Sequence, residues 1–494
     1  MIKTLLVTGK LAEAAVRKVA GRFDADVQVL PVSVALFIAE KTVLESLKKP
    51  DLRAYGRIIF PGSARLDLRK IEQILGVQCF KGPRHVSDLE EVLGKGLELS
   101  KTEPADLLLL KKGEEDLKEA SGIVEQRKEK FKVGNLKVGP GFPPKIIAEI
   151  VDAPRLSLEE NLARARYYLK SGADIIDVGC ISGEDDLQNI PEIIKKLKNE
   201  LEAPVSIDSL NPDEINAGID AGADMVLSLD SANMGRVKAT EGVAYVVLPG
   251  SPSTGAVPKQ KLTSLSENLE KAKKLGFRKL VADPILEPPF NTVSSLGSYL
   301  KFKEAEPGTA LMMGVGNMTE LMDADSPGMN ALLASAAVEL GVSFLLTTEN
   351  SVKTRNAVSE LRRSLDLNFL ADFKKALPKD LGIDAFLAKS KTDAYQPQLA
   401  RAESVRPSSE EFKIDPKGCF HIFVDFKKKR IIAALFRRGY ETILEGANAE
   451  DISKEIIKRG LVSDLSHANY LGRELAKAEI CLKLGKTYRQ DEGF

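Results

Sequence analysis

The feature that most constrains this chain is an alternation that can be counted. Between Lys145 and Asn368 short apolar runs recur: KIIAEIV (145–151), IIDVG (175–179), VSIDS (205–209), MVLSLD (225–230), AYVVLPG (244–250), KLVADP (279–284), ALMMGVG (310–316) and SFLLTTE (343–349). Stretches with helical spacing separate most of them, among them SLEENLARARYYLKSG, NIPEIIKKLKNEL, PDEINAGIDAG, LTSLSENLEKAKKLG and MNALLASAAVELG, and SVKTRNAVSELRRSL closes the series. Short apolar runs bounded by turn residues read as buried parallel strands, and the helices between them as crossovers. Eight such units in about 225 residues is the arithmetic of a closed (β/α)8 barrel. A doubly wound open sheet would use fewer strands or a changed connection, so the barrel is the expected fold.

The flanks read differently. Residues 1–110 alternate strand patterns (TLLVTG, DVQVLPV, RIIFPG) with helical ones (AEAAVRKVAGRF, SVALFIAEKTVLESLKK, DLRKIEQILG), which predicts a small open α/β domain. Residues 111–140 read as a charged connecting helix followed by a Gly- and Pro-rich boundary, GNLKVGPGFPP, with the barrel at 141–370. Residues 371–410 read as a linker. From 411 to 494 a hairpin-like pair, CFHIFVDFKKKRIIAALFRR, is followed by two helical patterns, a small α+β domain.

Composition narrows the function. A chain of 494 residues holds roughly three domains at about 150 residues each. With 43% hydrophobic and 29% charged residues it is an ordinary globular protein. Its 71 basic and 71 acidic residues balance to zero, which speaks against a nucleic-acid partner. The four cysteines and three histidines are scattered, so neither a disulfide framework nor a His/Cys metal centre is expected. His467, in SDLSHANYLG, suits partner contact or helix capping better than catalysis. No run approaches the ~18 apolar residues of a membrane span, and a cytoplasmic location is the default expectation.

In a barrel the working residues lie at the carboxyl ends of the strands. Those positions here hold Glu149, Asp152, Asp177, Cys180, Asp208, Asp230, Asp283, Asn317, Thr348 and Glu349. Carboxylates without cationic neighbours suit a neutral heterocycle rich in N–H donors, because each can accept two of them, and they suit a bound cation equally. An Asp at a strand end also serves as a helix cap, which accounts for roughly half of such residues taken singly. Asn211-Pro212-Asp213-Glu214 is a helix start of this structural kind. Cys180 has no histidine nearby and reads as a small hydrophobe.

SGADIIDVG (171–179), PVSIDS (204–209) followed by NAGIDAGADMV (216–226), and ADP (282–284) resemble the pterin-binding barrel of dihydropteroate synthases, shared with methyltetrahydrofolate:corrinoid methyltransferases. The whole arrangement, with a domain on each side, resembles archaeal dihydropteroate synthase-related proteins. The resemblance implies a pterin as substrate or ligand, held by Asp177, Asp208, Ser228, Asp230, Asp283 and Asn317. It gives Asp208 and Asn317 the catalytic positions, the latter near the pterin N5. It also marks departures. The Ser-Arg-Lys run of a synthase after strand seven is Gly316-Asn317-Met318-Thr319, and its Arg-x-His after strand eight is Thr347-Thr348-Glu349. The Asn expected at the end of strand four aligns with Leu227, and Asp283 leads into PILEPPF, closer to the methyltransferases.

Three functions follow from the resemblance. The first is a synthase-like transferase joining a dihydropterin methyl diphosphate to an arylamine, with Mg2+ as cofactor and Lys353 and Arg355, in the first turn of the last helix, as weak phosphate ligands. The second is methyl transfer from a methylated tetrahydropterin to a corrinoid or thiol. The third is a non-catalytic pterin-binding protein whose flanking domains recruit a protein partner. Barrels of this kind commonly pair, which leaves a homodimer open.

Overall fold

A computed structural model describes residues 3–48, 51–181, 183, 187–250, 258–388 and 415–492. The chain forms two compact units, one of residues up to Ser121 with the segment that starts at Lys379, the other of Gly122–Pro378 with the C-terminal region. Most of the expected linker 371–410 lies outside the described residues. Its described part from Lys379 belongs with the first unit, where Lys95 Nζ donates to the Asp380 carbonyl at 2.5 Å.

The first unit is an open parallel sheet of β1 (Thr4–Thr8), β2 (Ala25–Val29), β3 (Arg57–Phe60) and β4 (Gln78–Lys81), in the order β2-β1-β3-β4. Leu5, Val7, Ile58 and Phe60 face one layer of helices, and Leu6 and Ile59 face the other. Both faces are thus buried, as a parallel sheet requires. The fourth strand is not legible in the sequence, because QCFK is short and half polar. SVALF, expected to be helical, is a single 3-10 turn at Ala35–Phe37, and the helix proper is Glu40–Leu47.

The second unit opens with a hairpin, β5 (Phe131–Val133) and β6 (Leu136–Val138). This is the stretch expected to be a boundary. Val133 and Val138 are instead buried against Ile147, Ile175, Met225 and Phe344, and so close the barrel at the amino ends of its strands.

The barrel strands are β7 (Lys145–Ile150), β8 (Ile175–Gly179), β9 (Val205–Asp208), β10 (Met225–Leu229), β11 (Ala244–Val247), β12 (Lys279–Ala282), β13 (Ala310–Gly314) and β14 (Phe344–Thr348). Each pairs in parallel with the next, and β14 pairs with β7 to close the ring. Side chains alternate with period two. Ile147, Ile175, Val246, Val281, Met312 and Phe344 fill the interior, while Ile146, Ala148, Ile176, Val178 and Ala282 pack under the helices. The inner face one step beyond that apolar layer is the mouth, and there the residue types change to Glu149, Asp177, Asp208 and Asp283.

The C-terminal part is a three-stranded antiparallel sheet, β15 (Cys419–Asp425), β16 (Arg430–Phe436) and β17 (Tyr440–Gly446), with helices Ala449–Lys458 and Leu465–Leu484 on one face. The expected hairpin is the first two strands. The third is an edge with few buried side chains, so it carries little hydrophobic signal. His467 is part of a helix. It lies in the first turn of the last helix, buried, with Nδ1 3.3 Å from Asp415 Oδ2. Burial would raise the Asp415 carboxyl, but hydrogen bonds from Ser463, Asp464 and Lys417 outweigh it and hold it well below the usual range. Among the described residues no helix is long and apolar enough to cross a membrane.

Candidate functional site

Three neighbouring strands bring three carboxylates together. Glu149 of β7 is in register with Asp177 of β8, and Gly179 of β8 with Asp208 of β9. One carboxylate oxygen from each of Glu149, Asp177 and Asp208 lies within 4.8 Å of the other two. Among the described residues this is the one group of His, Cys, Asp and Glu side chains so arranged. Gly179 makes the arrangement possible, because a Cβ there would stand 2.5 Å from Glu149 Oε1.

Asp177 is fully buried. Its Oδ1 accepts from Ser206 Oγ at 2.6 Å, and Oδ2 has no hydrogen-bond partner. A buried acceptor without a donor is costly, so the site is built for something that supplies one. Asp208 accepts from Ser228 Oγ. Ser228 reaches it through an irregularity in β10: the register against β11 shifts between Val226 and Leu229, and bulges of this kind re-aim side chains beside functional sites.

Asp283, just past β12, completes the acidic rim. Its Oδ1 accepts from the Tyr299 hydroxyl at 2.6 Å and from the Ile285 amide at 2.7 Å. Ile285 has φ 68°, a costly conformation for a β-branched residue that the loop spends on aiming its N–H at Asp283. Asn317 stands in the short helix after β13, with Nδ2 donating to the Leu286 carbonyl at 2.8 Å.

The electrostatics follow from crowding acids away from water. Burial, then the nearby Asp208, Asp152 and Glu320, push the Glu149 carboxyl up to about 7. Burial, then Asp208 and Glu149, hold Asp177 well above the ordinary range, and burial raises Asp208. Burial pushes Asp283 up to about 6, with Asp208 adding to it. Such a rim favours protons, a cation or a ligand edge rich in N–H.

Of the residues named from sequence, Asp177, Asp208, Ser228 and Asp283 come together, with Asn317 on the loop next to that of Asp283. Others serve the scaffold. Asp230 Oδ1 accepts the amides of Ala232 and Asn233 and so caps the turn after β10. Asp152 pairs with Arg155 at 3.2 Å, and half-buried Cys180 donates its backbone N–H to the Asp208 carbonyl. Glu349 accepts from Tyr167 and from the Val358 amide at the start of the last barrel helix. Lys353 and Arg355 are not in that helix, which begins at Ala357. Lys353 pairs with Asp323 at 2.9 Å, while Arg355 stacks 3.9 Å over the Phe426 ring and donates to the Gly485 carbonyl. Glu149 stands out in the sequence only as a strand-end acid, although its place two residues beyond the inward Ile147 marks its direction. Ser206 could be found the same way, two before Asp208. Tyr299 could not, since it arrives from a later helix.

The pterin binding enzyme family matches residues 150–346, a family of unknown function (DUF6513) matches residues 3–84, and one described as PterinBD-DUF4346 matches residues 414–491. An uncharacterized protein of Methanocaldococcus jannaschii is 38% identical over 99% of this chain and 98% of its own length. The dihydropteroate synthase of Bacillus subtilis is 25% identical over 26% of this chain, which spans about half of that relative (51%). Among solved structures, a Yersinia pestis dihydropteroate synthase with a sulfonamide drug complex covers 50% of this chain and 98% of its own at 15% identity and a TM-score of 0.40. One from Xanthomonas albilineans with 7,8-dihydropteroate covers 45% and 91% at 19% identity and 0.38. The chain belongs to the family of the Methanocaldococcus jannaschii protein, and the barrel at its centre is a pterin-binding domain of the dihydropteroate synthase type.

Proposed function

We propose that the barrel binds a reduced pterin by its N–H-bearing edge and acts as a transferase on the one-carbon arm of that pterin, in the manner of a dihydropteroate synthase. The observation that carries this is the buried, unpartnered Oδ2 of Asp177 beside Asp208 and Asp283. An aminopyrimidine edge offers several N–H donors to such acceptors. In the condensation, the arylamine nitrogen attacks the methyl carbon of the pterin, the bond from that carbon to the diphosphate oxygen breaks, and the amine gives up a proton. The protein's part is to hold both partners in line and to offset the leaving charge. Glu149, Asp177 and Asp208 form an all-oxygen donor set that also fits Mg2+, an alternative occupant of the carboxylates that would otherwise grip the pterin edge.

A second reading is methyl transfer from a methylated tetrahydropterin, and a specific observation favours it. Lys353 and Arg355, the cations offered for a diphosphate, are held by Asp323 and by Phe426 with Gly485. Methyl transfer needs no such cations. Asn317 Oδ1 would then accept from a protonated pterin N5, while Nδ2 stays on Leu286. Calorimetry separates the two, using a dihydropterin methyl diphosphate analogue and a methyl-tetrahydropterin, each with and without Mg2+. Metal-dependent binding of the first supports the condensation, and tight metal-independent binding of the second supports methyl transfer. Binding of neither overturns the pterin reading.

A further inference from the structure

The N-terminal unit holds a crevice that the barrel chemistry does not use. In its sheet the chain passes from β1 to β2 on one side, then returns across β1 to continue through β3 and β4 on the other. Where an open parallel sheet reverses its winding, the loops at the carboxyl ends of the two central strands diverge, and ligands settle between them. The structure shows a cavity of about 80 Å3 at that point, open on one side to solvent. Val7 and Thr8 of β1, Phe60 and Ser63 at and after β3, and Arg84 after β4 line it. Its largely apolar wall with few polar groups is the lining typical of small-molecule sites, and its volume suits a single ring with the anionic group at the open side.

Arg84 is prepared for a ligand. Asp106, at the start of the helix Ala105–Glu125, accepts the backbone N–H of Arg84 at 3.0 Å through one oxygen and Nε at 2.7 Å through the other. The guanidinium is thereby fixed by its inner nitrogen, and its two terminal amino groups stay uncommitted. A fixed pair of such groups is the geometry that grips a carboxylate or phosphate with two parallel hydrogen bonds.

We propose that this crevice binds a planar aromatic or heteroaromatic ring carrying one anionic group, with the ring between the apolar walls and the anion on Arg84. Two sources share that chemistry, a nucleoside monophosphate and an aryl carboxylate. The test is calorimetry on the full chain with adenosine monophosphate and, separately, 4-aminobenzoate. The wild type is compared with Arg84→Gln, with Ser63→Leu, which fills the crevice, and with Asp283→Asn, which alters only the barrel. One probe should bind, tenfold to a hundredfold more weakly in Arg84→Gln. It should lose measurable binding in Ser63→Leu and keep its affinity in Asp283→Asn. The probe that binds identifies the source. Millimolar concentrations of both probes without binding, affinity unchanged in Arg84→Gln, or affinity lost in Asp283→Asn alone would overturn the assignment.

Discussion

At Asp283 one oxygen is already spent, since Oδ1 accepts from both Tyr299 and Ile285, and recognition falls to Oδ2. Asp283→Asn can keep its carbonyl on those two donors, which turns an amide N–H toward the N–H groups of the pterin. Affinity should drop tenfold to a hundredfold, because hydrogen bonds to a charged partner contribute about 1.5–3 kcal/mol. The melting curve should stay in place, as the change removes a buried charge from a crowded rim. Unaltered pterin affinity in that folded variant would mean that the site or the ligand is wrong. Glu149 gives a prediction about the empty protein. Its carboxyl is raised from 4.5 to about 7, so the fold favours the protonated form. That contribution is fully present below the unfolded value and is lost as pH rises through about 7. The wild type should therefore lose on the order of 1–3 kcal/mol between pH 5.5 and 8 that Glu149→Gln retains. Urea denaturation of both proteins at the two pH values checks this, and parallel losses would remove Glu149 from the cluster. Mg2+ or pterin added at pH 8 should close the gap by giving the acids a partner.

The hairpin β5–β6 is the element whose role the sequence hides. Gly134 turns it at φ 55°, and a Cβ there would stand 2.7 Å from Pro204 Cγ, at the start of the strand that carries Asp208. Gly134→Ala should cost about 1–2 kcal/mol through backbone strain and that clash. It should leave pterin affinity unchanged, because the plug sits at the opposite end of the strands from the acids. Melting and pterin titration on the same preparation test both halves. The barrel strands were legible because a buried parallel strand must be a near-continuous apolar run, Asp208 and Asp283 because each stands where such a run ends, and Asp177 because it interrupts one. The hairpin was not, since Gly and Pro at 134–144 also describe a linker. Ser228 is visible in the sequence but its direction is not, because the register shift in β10 breaks the period-two alternation. Lys353 and Arg355 misled for a related reason: the helical spacing of SVKTRNAVSELRRSL runs on from a 3-10 turn, and the α-helix begins only at Ala357.

Across the larger unit, Arg355 joins two parts of the chain that sequence placed in separate domains. It leaves the barrel after β14, stacks on Phe426 in the turn between β15 and β16, and donates to Gly485 past the last helix. Lys429 of the same turn lies 5.2 Å over the Tyr167 ring, and Tyr167 in turn holds Glu349. The turn expected from DFKKKR is thus a docking contact, and the basic residue available to a phosphate is occupied by it. A partly buried cation–π pair contributes about 1 kcal/mol and a hydrogen bond about 1. Arg355→Ala should therefore raise the local opening of this contact by roughly thirtyfold or more. Hydrogen exchange should quicken at 350–357 and 425–430 while the barrel strands keep their protection. Equal exchange in both proteins would show that the contact does not hold the sheet to the barrel. The same variant decides the role of the cation in chemistry. If Arg355 serves docking alone, Arg355→Ala binds a dihydropterin methyl diphosphate analogue as the wild type does, in the presence of Mg2+. A tenfold loss confined to the diphosphate compound, with methyl-tetrahydropterin affinity intact, would restore Arg355 to the phosphate site and with it the condensation over methyl transfer.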